Sequence, residues 1–222
     1  MDKQFLDIGT VSDKLLLFGG VYSNLQALEA LISITNSENI PPEHCICTGD
    51  LVGYCAQPEE VIQRFKTWGA RSILGNVEVQ LKNDEDDCGC DFESDSRCDI
   101  FSRQWFPFAK KALSNSSIGF LKTLPDHIQF EFNGKKATVV HGSYFNISDF
   151  IFKSTPWEQK EPNFEATNSA LIIAGHCGLP FQHKQNERLW INPGVIGMPA
   201  NDGKPHVWYA ILDTSTGRCG PP

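Results

Sequence analysis

The chain predicts an α/β fold: a four-layer sandwich in which two packed mixed β-sheets are flanked by helices. Two observations carry this expectation. In the first half, short Val/Ile/Leu-rich runs bounded by Gly, Asn and Asp alternate with helical patterns, which requires parallel crossovers. In the second half a hairpin signal and further short strands take over, so a second sheet has to pack against the first.

The elements follow in order. Residues 15–18, Leu-Leu-Leu-Phe, form the first strand and run into Gly19-Gly20. Ser23-Asn24 offer side-chain acceptors to a helix over 25–34, with Leu25, Leu28 and Leu31/Ile32 on one face. Residues 45–48 form the second strand, on which Cys45 and Cys47 share a face and point to the core. Pro58 stands at a first helical position, and Glu59 and Glu60 complement the positive helix end. Val61, Ile62 and Phe65 face inward, and Gly69 stops the helix. Residues 72–74 form the third strand. The acidic stretch 82–99 is expected to be a loop, while Trp105, Phe106 and Phe108 around Pro107 belong to a helix packed on the core. Asn133-Gly134 supplies the positive φ of a type I′ turn between strands at 128–132 and 136–140. Strands at 171–174, 189–192 and 207–212 complete one domain spanning 1–222. Its core is expected at 14–213, with a flexible tail at 217–222 and no internal repeat or linker.

Composition narrows the function classes. With 222 residues, 41% hydrophobic and 21% charged, the chain can bury roughly 70% of its unfolded surface. No run approaches the ~18 apolar residues of a membrane span, and Met1-Asp2-Lys3-Gln4 opens no secretory signal, so a cytoplasmic location is expected. A formal charge of −8 argues against an extended nucleic-acid surface but leaves room for a small phosphorylated ligand held by a local cation. Eight cysteines without a signal are expected to be free thiols or metal ligands rather than disulfides.

The chemistry lies at the strand ends. Four of five apolar runs end in a glycine beside a ligand-type residue: Gly49-Asp50, Gly75-Asn76, His141-Gly142 and Gly175-His176. Taken singly, each has a structural explanation, since Gly-Asp and Gly-Asn are common turns and a lone His is most often a satisfied surface or core residue. Together they form a mixed oxygen/nitrogen set suited to Mn, Fe or Zn rather than Ca.

In this order the motifs resemble the calcineurin-like metallophosphoesterase superfamily, in its single-domain prokaryotic phosphodiesterase branch. That family runs Asp-x-His, Gly-Asp, Gly-Asn-His-(Asp/Glu), His-Gly and Gly-His-x-His, each after a strand. Gly49-Asp50, Gly75-Asn76-Val77-Glu78, His141-Gly142 and Gly175-His176-Cys177-Gly178 are similar to the last four, and Asn192-Pro193-Gly194 resembles the turn that follows. The resemblance covers about residues 14–213. It implies the two-sheet sandwich, phosphoester hydrolysis and two metals roughly 3.5–4 Å apart. It assigns one metal subsite to Asp50, Asn76, His141 and His176, with Asp50, Asn76 and His141 as the catalytic set. The other subsite needs ligands where this chain has Gly20, Tyr22 and Gly178, and the family's leaving-group acid is replaced by Val77. One divalent transition ion is therefore expected rather than two. A homodimer is compatible with the branch.

Two alternatives stay open beside a phosphate mono- or diesterase. The losses fit an inactive protein that binds phosphate or nucleotide ligands. A thiol–metal site built from Cys88, Cys90, Cys98 and Cys177 would exploit the cysteines near the third and fifth motifs, although ordinary loop thiols and a buried Cys177 explain them equally. His44, His183 and His206 are expected to face solvent, His127 to open a strand, and Trp157 to pack rather than cover the site.

Overall fold

A computed structural model describes residues 3–90, 93–200, 203–214 and 219–220. Through the fourth strand and the helix after it, the elements are β1 (Phe5–Val11), β2 (Lys14–Phe18), α1 (Leu25–Ser37), β3 (Cys45–Cys47), α2 (Pro58–Trp68), β4 (Arg71–Ser72) and α3 (Asn76–Lys82). There follow α4 (Arg97–Ala112), α5 (Asn115–Leu121), β5 (His127–Phe132), β6 (Lys135–Val139) and α6 (Trp157–Thr167). The last strands are β7 (Leu171–Ile173), β8 (Phe181–Gln185), β9 (Arg188–Asn192), β10 (Ala210–Asp213) and β11 (Cys219–Gly220).

Leu15, Leu16, Leu17 and Phe18 are all wholly buried, because β2 lies in mid-sheet with apolar layers on both faces. Its sheet has the order β11-β10-β2-β3-β4, with β2, β3 and β4 parallel. The second sheet runs β1-β5-β6-β7-β9-β8 and mixes parallel pairs with the β5–β6 and β8–β9 hairpins. Leu15, Leu17 and Ile46 of the first sheet meet Ile128, Val139 and Ile173 of the second in a shared core. On the outer face of the first sheet, Leu16, Phe18, Cys45 and Cys47 pack against Leu28, Val61, Ile62, Phe65 and Phe106 from the helices. Trp157 and Phe164 of α6 cover Ile172 and Trp190 on the outer face of the second. The fold is thus the expected four-layer sandwich, and each large side chain buried contributes ~1.5–3 kcal/mol.

Local signals fall where the chain chemistry requires. Asn24 Oδ1 accepts from the Ala27 amide at 3.0 Å to cap α1, and Gly69 ends α2 with φ 84°. Asn133 and Gly134 both take positive φ between β5 and β6.

Several expectations need correction. Part of the acidic stretch 82–99 is helical: Ser96 Oγ accepts from the Asp99 amide at 3.2 Å, and Asp99 in the first turn pairs with Arg103. An N-cap serine with an aspartate three residues on favours helix despite the surrounding charge. The tail is not wholly free, because β11 pairs with β10; the rest of 217–222 lies outside the described residues. Strand β1, ahead of the expected core, is an edge strand facing mostly solvent, so no apolar run announces it. His183 does not simply face solvent: its Nδ1 lies 3.1 Å from the ammonium of Lys160. His44 is half-buried, with Nδ1 3.2 Å from the Lys14 carbonyl. His206 is exposed, and Trp157 packs on Phe164 with ring centroids 5.3 Å apart.

His127 does open β5, buried between the rings of Phe5 and Tyr144. Burial and then the nearby Lys3 push its pKa down to about 4. The folded state therefore holds this imidazole neutral, and its contribution is fully present above the unfolded value near 6.5 and lost as pH falls toward 4. Wild type is expected to lose about 2 kcal/mol more than His127→Phe between pH 7 and pH 4.5. Parallel urea midpoints for the two proteins across that range would refute this.

Candidate metal centre

The four sequence-predicted ligands gather at the carboxyl ends of strands from both sheets. Asp50 follows β3, Asn76 follows β4 and opens α3, His141 follows β6 and His176 follows β7. Parallel strands deliver their ends to one edge of a sheet, and two packed sheets bring two such edges together. The crossing at Gly49 requires glycine: its φ is 100°, and a Cβ there would lie 2.7 Å from the Gly75 amide nitrogen and 2.7 Å from His141 Nδ1. Asp50 and His176 themselves adopt left-handed backbone, both with φ 59°. Such conformations in non-glycine residues cost energy and concentrate at functional sites.

Hydrogen bonds fix which atoms face inward. His141 Nδ1 lies 2.6 Å from the Thr48 carbonyl, which can only accept, so Nδ1 carries the proton and Nε2 presents a lone pair. Asn76 Nδ2 donates to the Cys88 carbonyl at 2.8 Å and to Cys90 Sγ at 3.2 Å, which leaves Oδ1 facing the site. That oxygen lies 3.0 Å from His141 Nε2 and 3.1 Å from His176 Nδ1. His141 Nε2 is also 3.2 Å from His176 Nδ1 and 3.4 Å from Asp50 Oδ2. Without a cation, only protons on the two imidazoles can bridge these four electron-pair donors. Electron-pair donors packed this closely repel one another, and a cation among Asn76 Oδ1, His141 Nε2, His176 Nδ1 and Asp50 Oδ2 is an arrangement that satisfies them.

Burial raises the Asp50 carboxyl, but His141 and His176 outweigh it and hold it below the usual carboxylate range. Burial lowers His141, and the adjacent Asp50 more than restores it, so its pKa is raised. His176 is pushed down to about 4 by burial and then by His141, so its ring stays neutral and ligand-ready.

Glu78 is the functional residue that the strand-end pattern did not single out. It is wholly buried: Oε2 accepts from the amides of Asp50 and Gly75, each at 2.9 Å, and Oε1 from Val52 at 3.1 Å. It thereby ties two ligand-bearing turns together. Burial and then Asp50 push its carboxyl up to about 7, while the three N–H donors pull the other way. Glu78 stands at the third position of α3, where an acid reaches back to the helix-capping amide, and that spacing was the available signal. Asn192 performs a similar service for His176, donating to the Gly175 carbonyl at 2.7 Å.

A family model described as the calcineurin-like phosphoesterase superfamily domain matches residues 6–217. The chain belongs to this superfamily. An uncharacterised protein of Methanocaldococcus jannaschii is 25% identical over 220 residues, covering 91% of this chain and 84% of its own length. The structure of a metallophosphoesterase from Sphaerobacter thermophilus superposes with a TM-score of 0.70 at 24% identity, covering 94% of this chain and 86% of that one. A hypothetical protein from Pyrococcus horikoshii gives 0.74 at 18% identity with the same coverage, 94% and 86%. These likenesses to solved structures show the shared fold.

Superfamily membership brings metal dependence, and the donor set fits: Asp50, His141 and His176 offer ligand atoms all within 4.8 Å of one another. Gly20, Gly178 and Val77, where the sequence resemblance expected further ligands and an acid, have these surroundings. A Cβ on Gly20 would lie 2.5 Å from the Tyr22 ring and 2.7 Å from a Val195 methyl, so aromatic and aliphatic carbon fill that space. Gly178 has φ 71° with Val195 methyls 3.7 and 3.9 Å from where its Cβ would be, and Val77 is buried.

The cysteines do not assemble as a thiolate site. Contrary to the expectation of free thiols, Cys88 and Cys90 are joined as a disulfide, two residues apart on the turn that accepts from Asn76. The Cys177 thiol lies 3.2 Å from Asn192 Nδ2 and is pushed up to about 11 by burial, away from thiolate character. Cys98 falls in the first turn of α4, and its side chain lies outside the described residues. Among the described residues the group able to hold a metal contains no cysteine. No described helix is long and apolar enough to cross a membrane.

Proposed function

We propose that this phosphoesterase superfamily member hydrolyses phosphate esters with a single divalent ion, held by Asp50, Asn76, His141 and His176, and prefers esters with good leaving groups. The convergence of four electron-pair donors, each oriented by its own outer hydrogen bond or backbone turn, carries this reading. A divalent ion there supplies Lewis-acid charge to a bound phosphoryl group.

The chain's own groups define the rest. Asp50 brings the only anionic charge in the set, held ionised by its histidine neighbours. Asn76 is locked with its oxygen inward, so it binds the ion and keeps its amide nitrogen away from substrate. Val77 has no proton to give, so the departing group has to be stable as an anion; proton donation elsewhere contributes ~10²–10⁴-fold. Tyr22 and Val195 fill the space around Gly20, which supports one ion over two. The oxygen/nitrogen donors suit Mn, Fe or Zn.

Protein loaded with Mn²⁺ is expected to hydrolyse bis(4-nitrophenyl) phosphate, with His176→Ala slower by at least ~100-fold, the upper range found when metal-site support is lost. Equal rates for the two proteins sink the proposal. The missing acid at Val77 favours one other reading, a phosphate binder without turnover; a rate abolished by chelator and restored by metal eliminates it.

A further inference from the structure

We propose that the substrate is a singly charged phosphodiester carrying a planar aromatic ring, and that Phe152, backed by Phe150, is the platform on which this ring stacks. The inference rests on the phosphoesterase reading and names the substrate class of that site.

Phe150 and Phe152 stand beside the metal centre and are both exposed, by 39% and 37%. The Phe150 ring lies 4.3 Å from that of His176, and Phe152 stacks on Phe150 with centroids 6.2 Å apart and planes 13° from parallel. Exposed neighbouring phenylalanines cost solvation, and beside a polar ion site they mark a surface that something apolar covers.

The segment is held in place rather than left loose. Lys160 on α6 is wholly buried, and its ammonium donates to the carbonyls of Phe152 at 2.7 Å and Thr155 at 2.6 Å. The Phe152 amide donates to Thr155 Oγ1 at 2.9 Å. Burying a cation costs several kcal/mol unless it is fully bonded, and here its bonds fix the turn that presents Phe152.

The surroundings define the ligand. On one side the metal centre opens to a cleft of about 40 Å³ whose walls include Tyr22, Tyr54, Trp105 and Phe150. Among its described lining residues there is no Lys or Arg, so a monoester dianion or a polyphosphate finds no cation beyond the ion itself. A diester monoanion suits this charge balance better. On the other side Phe152 borders an open cavity of about 780 Å³ with Leu179, Phe181, Trp208 and Tyr209, a size and character suited to an aromatic ester group. Lys153 is the cation among its described lining residues. Phe150 lines the cleft at the metal centre, Phe152 lines the larger cavity, and the two rings stack on each other, so a diester with its phosphoryl group at the ion extends its organic substituent past Phe150 toward Phe152.

Two diesters with the same leaving group test this: thymidine 5′-(4-nitrophenyl) phosphate and methyl 4-nitrophenyl phosphate. Wild type is expected to favour the thymidine ester in kcat/KM by roughly tenfold or more, the scale of one base stacked on an aromatic side chain. Phe152→Ala and Phe152→Leu should bring the ratio close to one, and Phe152→Trp should preserve it. A methyl ester turned over as well as the thymidine ester, or a ratio unchanged in Phe152→Ala, overturns the inference. If neither ester is hydrolysed the phosphoesterase reading fails, and calorimetric binding then decides about the platform. Thymidine 5′-(methyl phosphate) should bind at least about tenfold more tightly than dimethyl phosphate, both being monoanions, with the difference lost in Phe152→Ala. Equal affinity, or none for either, overturns it.

Discussion

Asp50→Asn is expected to lower affinity for Mn²⁺ or Zn²⁺ by more than ~100-fold while leaving the fold intact, an effect beyond that of removing a supporting hydrogen bond. Asp50 carries the only carboxylate among four donors that otherwise consist of an amide oxygen and two imidazole nitrogens. Hard and borderline cations depend on that charge. Asparagine has nearly the same shape and tolerates the left-handed backbone that Asp50 adopts at φ 59°, so the substitution separates charge from conformation. Asp50→Ala would confound the two, because alanine in a left-handed turn is strained. Elemental analysis and calorimetric titration of the purified variant measure the outcome. A full equivalent of metal retained by Asp50→Asn would show that the ion sits elsewhere or that none belongs to this cluster.

Glu78→Ala is expected to be the most destabilising single change in the site, by about 4 kcal/mol or more, since three buried N–H groups each lose their acceptor at ~1–3 kcal/mol apiece. Those donors belong to Asp50, Val52 and Gly75, so the loss loosens both turns that deliver ligands. Glu78→Gln is a graded control. Its oxygen can take the place of Oε2 and accept from Asp50 and Gly75, but its NH₂ then meets the Val52 amide, donor against donor. We expect ~1–3 kcal/mol for this change and metal binding that survives. Urea denaturation of the three proteins decides the point; an alanine variant within about 1 kcal/mol of wild type would show that water replaces the carboxylate.

The layered fold was largely legible because its signals are local and periodic. The run Leu15–Leu16–Leu17–Phe18 is apolar on both faces, and only a central strand between two apolar layers buries it fully. Asn24, Gly69 and Asn133-Gly134 mark boundaries through backbone preferences that act within a few residues. What escaped was either edge-like or charged. Strand β1 shows solvent most of its side chains, so no periodic apolar pattern betrays it. The start of α4 was hidden because the same Asp residues that suit a solvated loop also suit a helix N-terminus.

For the site, Asp50, Asn76, His141 and His176 could be named because each follows a strand and is flanked by a glycine that lets the chain turn sharply. Their mutual geometry could not. That Asn76 shows its oxygen and not its nitrogen is decided by the Cys88 carbonyl and Cys90 sulfur, twelve and fourteen residues away. That His141 shows Nε2 is decided by the Thr48 carbonyl, 93 residues earlier. The fate of the cysteines was likewise beyond the sequence, since the same Cys-Gly-Cys spacing serves a metal pair or a disulfide.

The sequence by itself determined which residues stand at the strand ends and that Gly20, Tyr22, Val77 and Gly178 occupy positions where the family resemblance expects other residues. Only the tertiary structure decided what those substitutions built: a tyrosine ring and a valine in the space beside Gly20, a buried glutamate stitching two turns, and an aromatic pair beside His176. The division has a physical reason. Strand ends and turns follow from short-range backbone preference, whereas the orientation of a donor atom and the filling of a cavity depend on partners brought close by the packing of two sheets.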